Sequence, residues 1–353
     1  MIITGVGLNN FRSYKEQVFE LEAGVNIVVG PNASGKTNLL ESIYLGCQGK
    51  SFRGTTDKLI QHKKPWSRVE LTTDKGSRVI KLRRDQPPKK EFVLDGLTKR
   101  RLTLDDKIPV VLFTPDDLRL VNGSPERRRR FLDDLVSKLE PEATSVLSQY
   151  QRALLQRNNL LKYPNPDPDE LFVWAVRLSE LGGKIVEWRL QLIQKLNQKA
   201  GKIYSLIAGA KQTVKFSYDS NLSPPKSYQT KLSSHLQGQR DIHLGFTSCG
   251  PHRDDLRIEL GNSLSSDSSS RGEVRSLVLV SKLIEIQLLE SRSGQKPILL
   301  FDDVFSELDG ARRRRLSEQV LEHQTIITTT DADAVVAHFL KRANVIPITY
   351  YSK

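Results

Sequence analysis

Sulfur is scarce in this chain of 353 residues: two cysteines, Cys47 and Cys249, and one methionine. Two thiols without metal-ligand companions exclude a disulfide framework and a cysteine-rich metal site, and they fit a reduced cytoplasm. No apolar run approaches the ~20 residues of a membrane-spanning helix. The opening MIITGVGLNNF has neither a basic leader nor a small-residue cleavage site, so secretion is not expected. Aromatics are only 7% and do not interleave with the basic clusters, which leaves phosphate and shape, not base sequence, as the expected basis of any nucleic-acid contact.

What is present in excess is positive charge. Lys plus Arg number 54 against 41 Asp plus Glu, a net charge of +13, with a pI near 9.6. Such a balance favours a polyanionic partner, and nucleic acid ahead of a membrane surface because no basic amphipathic anchor stands out. Hydrophobic residues at 38% and charged residues at 27% are ordinary for a globular chain. The length exceeds one common domain, so two structural units are expected, one inserted in the other.

The pattern along the chain supports an insertion. MIITGVGLNNF and VNIVVG read as strands, and KTNLLESIYLGC places Leu39, Leu40 and Ile43 at helical spacing. SRVELTT, SRVIKLRR and EFVLDG read as an antiparallel meander, and IPVVLFTP as a buried strand. A helix is then expected with Ser124 as its N-cap and Pro125 in its first turn. Leu171, Trp174, Leu178, Leu181, Ile185, Trp188 and Leu192 step at heptad spacing; Ala143, Leu147, Tyr150, Leu154 and Leu161 do the same, with Arg157 in a seam slot. The breaker YPNPDPD between them predicts an antiparallel helical hairpin. Strand and helix then alternate again to the C-terminus, ending with a helix and strand after TIITTT. The expected division is residues 1–123 with 241–353 as one discontinuous α/β unit, and 124–240 as an inserted, mainly helical one.

GPNASGKT at 30–37 fits G-x-x-x-x-G-K-[ST], with a hydrophobic strand before it and an amphipathic helix after it. Such a loop (Gly30, Pro31, Asn32, Ala33, Ser34, Gly35) curls so that its available backbone N–H groups surround phosphate oxygens at a helix N-terminus. Lys36 is placed for the β- and γ-phosphates and Thr37 for Mg²⁺, which makes ATP with Mg²⁺ the expected ligand. In ILLFDDVFSELD, Asp302 follows four apolar residues as the Walker B acid. Asp303 comes next, where a carboxylate can orient or deprotonate an attacking water. The serine-rich DSSSRGEVRSL leads into an apolar helix, with Gly272 30 residues before Asp302. Ser270 and Gly272 are the residue types that offer a hydroxyl and N–H groups to an anion at a helix N-terminus.

The signature-like segment, the SELD after Asp303 and the meander after the first P-loop helix all favour an ABC-type P-loop ATPase head with an antiparallel β lobe and a short coiled-coil hairpin inserted. The chain further resembles the RecF family, bacterial DNA-repair ATPases related to SMC heads, through NNFRSY at 9–14, LVNGSPERRRRFLD at 120–133, GPHRDDL at 250–256, SSRGEVRSL at 269–277 and LLFDDVFSELD at 299–309. The resemblance covers essentially the whole chain. It implies an ATP-dependent homodimer in which Ser270, Gly272 and Glu273 of one copy meet the nucleotide of the other. It also implies DNA as partner (gapped, single-stranded or duplex), weak DNA-dependent ATPase activity, a RecR-type mediator, recombinase loading and support of SOS induction. It further suggests that Arg12 touches the nucleotide; otherwise Arg12 is a surface charge. Glu273 departs from the family's usual Gln, Asp303 from the Glu of many ABC proteins, and Thr330 or Asp331 stands where transporters place a histidine.

Arg127 to Arg130 and Arg312 to Arg315 run consecutively, and four in a row on a helix face all sides, so they cannot share one ligand. GPHRDDL reads equally as a structural turn or as a site near a nucleotide interface. Rival classes are an SMC-like chromosome organiser, a transporter ATPase and a nuclease. The hairpin, about 40 helical residues or roughly 60 Å, is short for tethering; the basic balance disfavours the transporter, and no separate carboxylate cluster supports the nuclease.

Overall fold

The computed structural model describes residues 1–222, 227–261, 263–331, 339 and 343–349. Its packing divides into two compact units, Met1–Asp117 with Glu285–Lys353, and Leu118–Ile284.

In the first unit, β1 (Ile3–Phe11) and β2 (Tyr14–Glu20) form an antiparallel hairpin. β3 (Val25–Val29) has four of five residues buried, as a strand covered on both faces requires. The P-loop leads into α1 (Lys36–Gln48), followed by the short α2 (Thr56–Leu59). The expected meander is β4 (Trp66–Thr73), β5 (Gly76–Arg83) and β6 (Lys89–Leu94), extended by β7 (Leu97–Lys99). It joins the first hairpin in one six-stranded antiparallel sheet, ordered β2-β1-β4-β5-β6-β7. That union was not legible, since β1 pairs with β4 across more than fifty residues. β8 (Val110–Phe113) completes the N-terminal part.

The second unit holds α3 (Arg119–Asn122), α4 (Pro125–Leu139), α5 (Ala143–Leu160) and α6 (Pro168–Ala208). It continues with β9 (Val214–Asp219), α7 (Tyr228–Leu236), α8 (Arg240–Leu244), β10 (Asp255–Leu260), β11 (Ser263–Leu264) and α9 (Ser265–Ser268). Helix α10 (Arg271–Ser293) starts here and ends in the first unit. The expected hairpin is α5 and α6, whose seam residues Tyr150, Leu154, Leu178, Leu181 and Ile185 share one buried cluster. Arg157 sits in that seam at 1% exposure. Its guanidinium donates to the Asp241 carboxylate (2.7 Å), Thr247 Oγ1 (2.8 Å) and the Leu236 carbonyl (2.6 Å). The compact units divide the chain elsewhere than at residue 241: β9 pairs along all of β10, which draws the following strand and serine-rich segment in with the helices.

The chain returns to the first unit through β12 (Ile298–Asp302), α11 (Gly310–Val320), β13 (Thr325–Thr329) and β14 (Ala343–Pro347). These strands join β3 and β8 in a parallel sheet ordered β14-β3-β13-β12-β8. In open parallel sheets the loops at the carboxyl ends of the strands hold ligands, and here they carry the P-loop and both aspartates. The helix expected after Thr330 lies outside the described residues. Both cysteines are buried free thiols, and burial pushes that of Cys47 up to about 12. Among the described residues no helix is long and apolar enough to cross a membrane.

Candidate nucleotide site

The loop between β3 and α1 has a backbone that only glycine permits at its ends. A Cβ on Gly30 would stand 2.4 Å from the Ile348 carbonyl oxygen, and one on Gly35 2.8 Å from Tyr14 Oη. Gly35 has φ +108° and Ala33 φ +65°, so left-handed residues curl the segment into a concave loop. Tyr14 Oη donates to the Gly35 carbonyl at 3.0 Å, fixing the loop against the β1–β2 hairpin. Lys36 reaches back across the loop, and its Nζ donates to the carbonyls of Gly30 (2.6 Å) and Pro31 (2.9 Å). Burial makes the Lys36 ammonium more acidic than usual, with the Asp303 and Asp302 carboxylates working against that shift. The buried Ser34 hydroxyl has no hydrogen-bond partner, a condition costing about 1–3 kcal/mol that a seated phosphate oxygen would relieve.

Asp302 ends β12 beside the loop. Its Oδ1 accepts from Thr37 Oγ1 at 2.8 Å and from Thr328 Oγ1 at 3.0 Å. Burial raises the pKa of Asp302 above the usual carboxylate value; the Thr37 and Thr328 hydrogen bonds and the Arg53 charge pull it down, and Asp303 pushes it up. A hydroxyl and a carboxylate in contact are two hard oxygen donors, the set that Mg²⁺ prefers. Among the described residues no group of three or more His, Cys, Asp or Glu could hold a metal ion, so an ion at this pair needs oxygens from elsewhere, as a bound triphosphate supplies. The residues present therefore fit both the phosphate and the metal.

Asp303 follows with φ +55°, a conformation side-chain-bearing residues rarely adopt. Its N–H donates to the carbonyl (3.2 Å) and Oγ1 (3.0 Å) of Thr328, and Ser306 Oγ donates to its carbonyl oxygen (2.6 Å) and Oδ1 (3.0 Å). Downstream, Asp309 caps α11 by accepting from the Arg312 N–H at 2.9 Å, and Arg313 Nε donates to the Phe305 carbonyl at 2.7 Å.

Ser270 and Glu273 are tied to each other. The Ser270 N–H donates to Glu273 Oε2 at 2.8 Å, and the Glu273 N–H to Ser270 Oγ at 3.3 Å. This is a capping box at the start of α10, with Gly272 between the two. Arg12 stands on the β1–β2 turn at φ +52°. Its Nε and Nη2 donate to Glu41 Oε2 (2.9 Å) and Oε1 (2.8 Å).

GPHRDDL is a bonding hub of the second unit. Asp254 accepts from Tyr218, Tyr228 and Ser220, and His252 Nδ1 lies 2.7 Å from Tyr150 Oη. Burial brings His252 down to about 4, so its ring is neutral near pH 7. His252, Tyr150, Arg129, Arg130 and Arg189 line a cavity of about 400 Å³. Much of the first arginine run is structural: Arg128 makes a bidentate pair with Asp255 (2.8 and 2.7 Å), and Arg129 donates to the Asp254 carbonyl. Arg130 and Arg314 are exposed. Glu41, Arg53 and Thr328 were missed in the sequence. A glutamate inside an amphipathic helix and a threonine directly after an apolar pair have no signature of their own, and only the fold brings them to the site.

The family model described as the RecF/RecN/SMC N-terminal domain matches residues 2–346. The DNA replication and repair protein RecF of Clostridium tetani is 32% identical over 359 residues, covering 99% of this chain and 98% of that protein. Its counterpart in Halalkalibacterium halodurans is 36% identical, covering 98% and 97%. A solved structure of the recombination mediator protein RecF with ATPrS, in the RecFOR pathway, superposes with a TM-score of 0.86 at 29% identity, covering 94% of this chain and 93% of that one. An SMC head bound to the C-winged helix domain of ScpA has a TM-score of 0.54 at 18% identity, covering 96% and 92%, a likeness of fold alone.

Proposed function

The chain belongs to the RecF family and has the fold of an SMC-like ABC ATPase head, and from that premise we propose that it is an ATP-hydrolysing DNA-repair protein that closes as a homodimer on DNA. The observation carrying this reading is the contact of Thr37 with Asp302 beside a glycine cradle containing an orphaned Ser34 hydroxyl. In this reading the backbone of Gly30 to Gly35 and the Lys36 ammonium hold the phosphates of ATP. Thr37 and Asp302 hold Mg²⁺, which when bound neutralises charge on the β- and γ-phosphate oxygens. Asp303 orients the attacking water and takes its proton as ADP and phosphate form. Fixed by Thr328 and Ser306 and one methylene shorter than Glu, it supports slow turnover.

Ser270, Gly272 and Glu273 serve the ATP of a second copy, so that ATP closes the dimer and hydrolysis reopens it. The functional division is a head of 1–123 and 241–353 carrying the 124–240 helical insertion. DNA is held without sequence preference through its phosphates, supported by the +13 charge. A RecR-type mediator as partner, recombinase loading and a part in SOS induction rest on the likeness to RecF of the RecFOR pathway. An SMC-like organiser remains the second reading. The test is sedimentation with and without ATP: the parent dimerises with ATP, and Ser270→Arg stays monomeric while still binding ATP. A Ser270→Arg protein that dimerises normally removes the shared site. DNA affinity that does not respond to ATP across gapped, single-stranded and duplex substrates removes the clamp.

A further inference from the structure

Glu41 lies one helical turn beyond Thr37 on α1 and is fully buried. A buried carboxylate beside a polyanion site lowers the local potential, so its presence needs a compensating role. Its two oxygens gather two segments that flank the cradle. One is the β1–β2 turn, through the paired bonds to Arg12. That turn also touches the P-loop helix, where Asn38 Nδ2 donates to Ser13 Oγ at 2.9 Å. The other is the 51–54 loop: Ser51 Oγ donates to Glu41 Oε1 at 2.5 Å and accepts from the N–H groups of Arg53 (2.9 Å) and Gly54 (3.0 Å). Arg53 is exposed, and its charge is felt at Asp302.

We propose that Glu41 is a positioning residue of the nucleotide site, a buried clamp that holds Arg12 and the Arg53 loop in register with the phosphate cradle. This rests on the ATP reading given above. Charge and position predict opposite signs for its removal. Were Glu41 only a negative charge near the phosphates, neutralising it would tighten ATP; as a clamp, its loss frees both arginine-bearing segments and loosens ATP.

The experiment uses the full chain, a fluorescent ATP analogue for binding, and steady-state hydrolysis. Glu41→Gln is expected to loosen binding about tenfold, the equivalent of about 1.4 kcal/mol. Arg12→Ala is expected to loosen it comparably, and the double variant Arg12→Ala/Glu41→Gln no further than Arg12→Ala alone, because the two act as one unit. Ser51→Ala releases only the Arg53 loop and is expected to lower kcat about threefold with KM near the parent's, a loss of about 0.65 kcal/mol in the barrier. Glu41→Gln binding as tightly as the parent or tighter, or effects that add in the double variant, overturns the proposal. If Glu41→Gln loses its thermal unfolding transition, Ser51→Ala decides alone, and a parent-like kcat overturns it. A parent that binds no analogue sinks the ATP reading and this proposal together, whereas a binding parent with an indifferent Glu41→Gln sinks only this one.

Discussion

Replacing Asp302 by Asn should stabilise the nucleotide-free protein while abolishing its Mg²⁺-dependent turnover. Thr37 and Thr328 both donate to the same oxygen, Oδ1, so an amide oxygen in that place keeps both bonds. The amide removes a charge whose burial outweighs those bonds, since the native pKa lies above the ordinary carboxylate value. Against this, Lys36 loses the pull of one of its two carboxylate neighbours; burial, the largest influence on both groups, sets the sign. Single stabilising substitutions commonly yield about 0.5–2 kcal/mol, at roughly 2–4 °C in Tm per kcal/mol for a mid-sized domain. The pH sign follows from linkage. A group with a raised native value favours folding while both states are protonated, and that contribution is lost as pH rises through the native value. The advantage of Asn should therefore be full near pH 7 and fade toward the acid side of the ordinary carboxylate range. Calorimetry in a chelator, at pH 7 and near pH 4, measures it. An Asn variant melting below the parent at pH 7 would refute the reasoning.

Lys36→Ala should lose ATP binding itself, read by equilibrium binding of a fluorescent analogue, because the cradle then has no cation of its own. Asp303→Asn should keep ATP and accumulate the closed dimer in sedimentation; rapid phosphate release by that variant would remove Asp303 from the catalytic role. Thr328→Val removes one of the two acceptors of the Asp303 N–H and a donor to Asp302. Each lost bond is worth about 0.5–1.5 kcal/mol net, so kcat should drop up to about tenfold while Thr328→Ser recovers most of it in the same assay.

The P-loop, the Walker B strand and the helical hairpin were legible because each is a local pattern: a glycine spacing, an apolar run, a heptad. Arg157 shows the limit. It breaks the apolar seam, and only partners far along the chain, Leu236, Asp241 and Thr247, explain it. Ser270 and Glu273 were legible as residue types at a helix start, yet their mutual cap belongs to the folded helix alone. Arg12 was visible as a charge near the site, but its bidentate hold by Glu41 was not, because hairpin and helix meet only through tertiary packing. Four arginines in a row were expected to face all sides of a helix, and the fold uses Arg128 and Arg313 for internal bonds.

The two enclosed thiols make this chain a quiet background for chemical labelling. Cys47 yields almost no thiolate at neutral pH and Cys249 is shifted the same way by burial. A reporter cysteine introduced at exposed Ser268 would then react far faster than either native one. Its loss of reactivity on adding ATP would time the meeting of two copies directly, with no need to remove a single natural residue from the core.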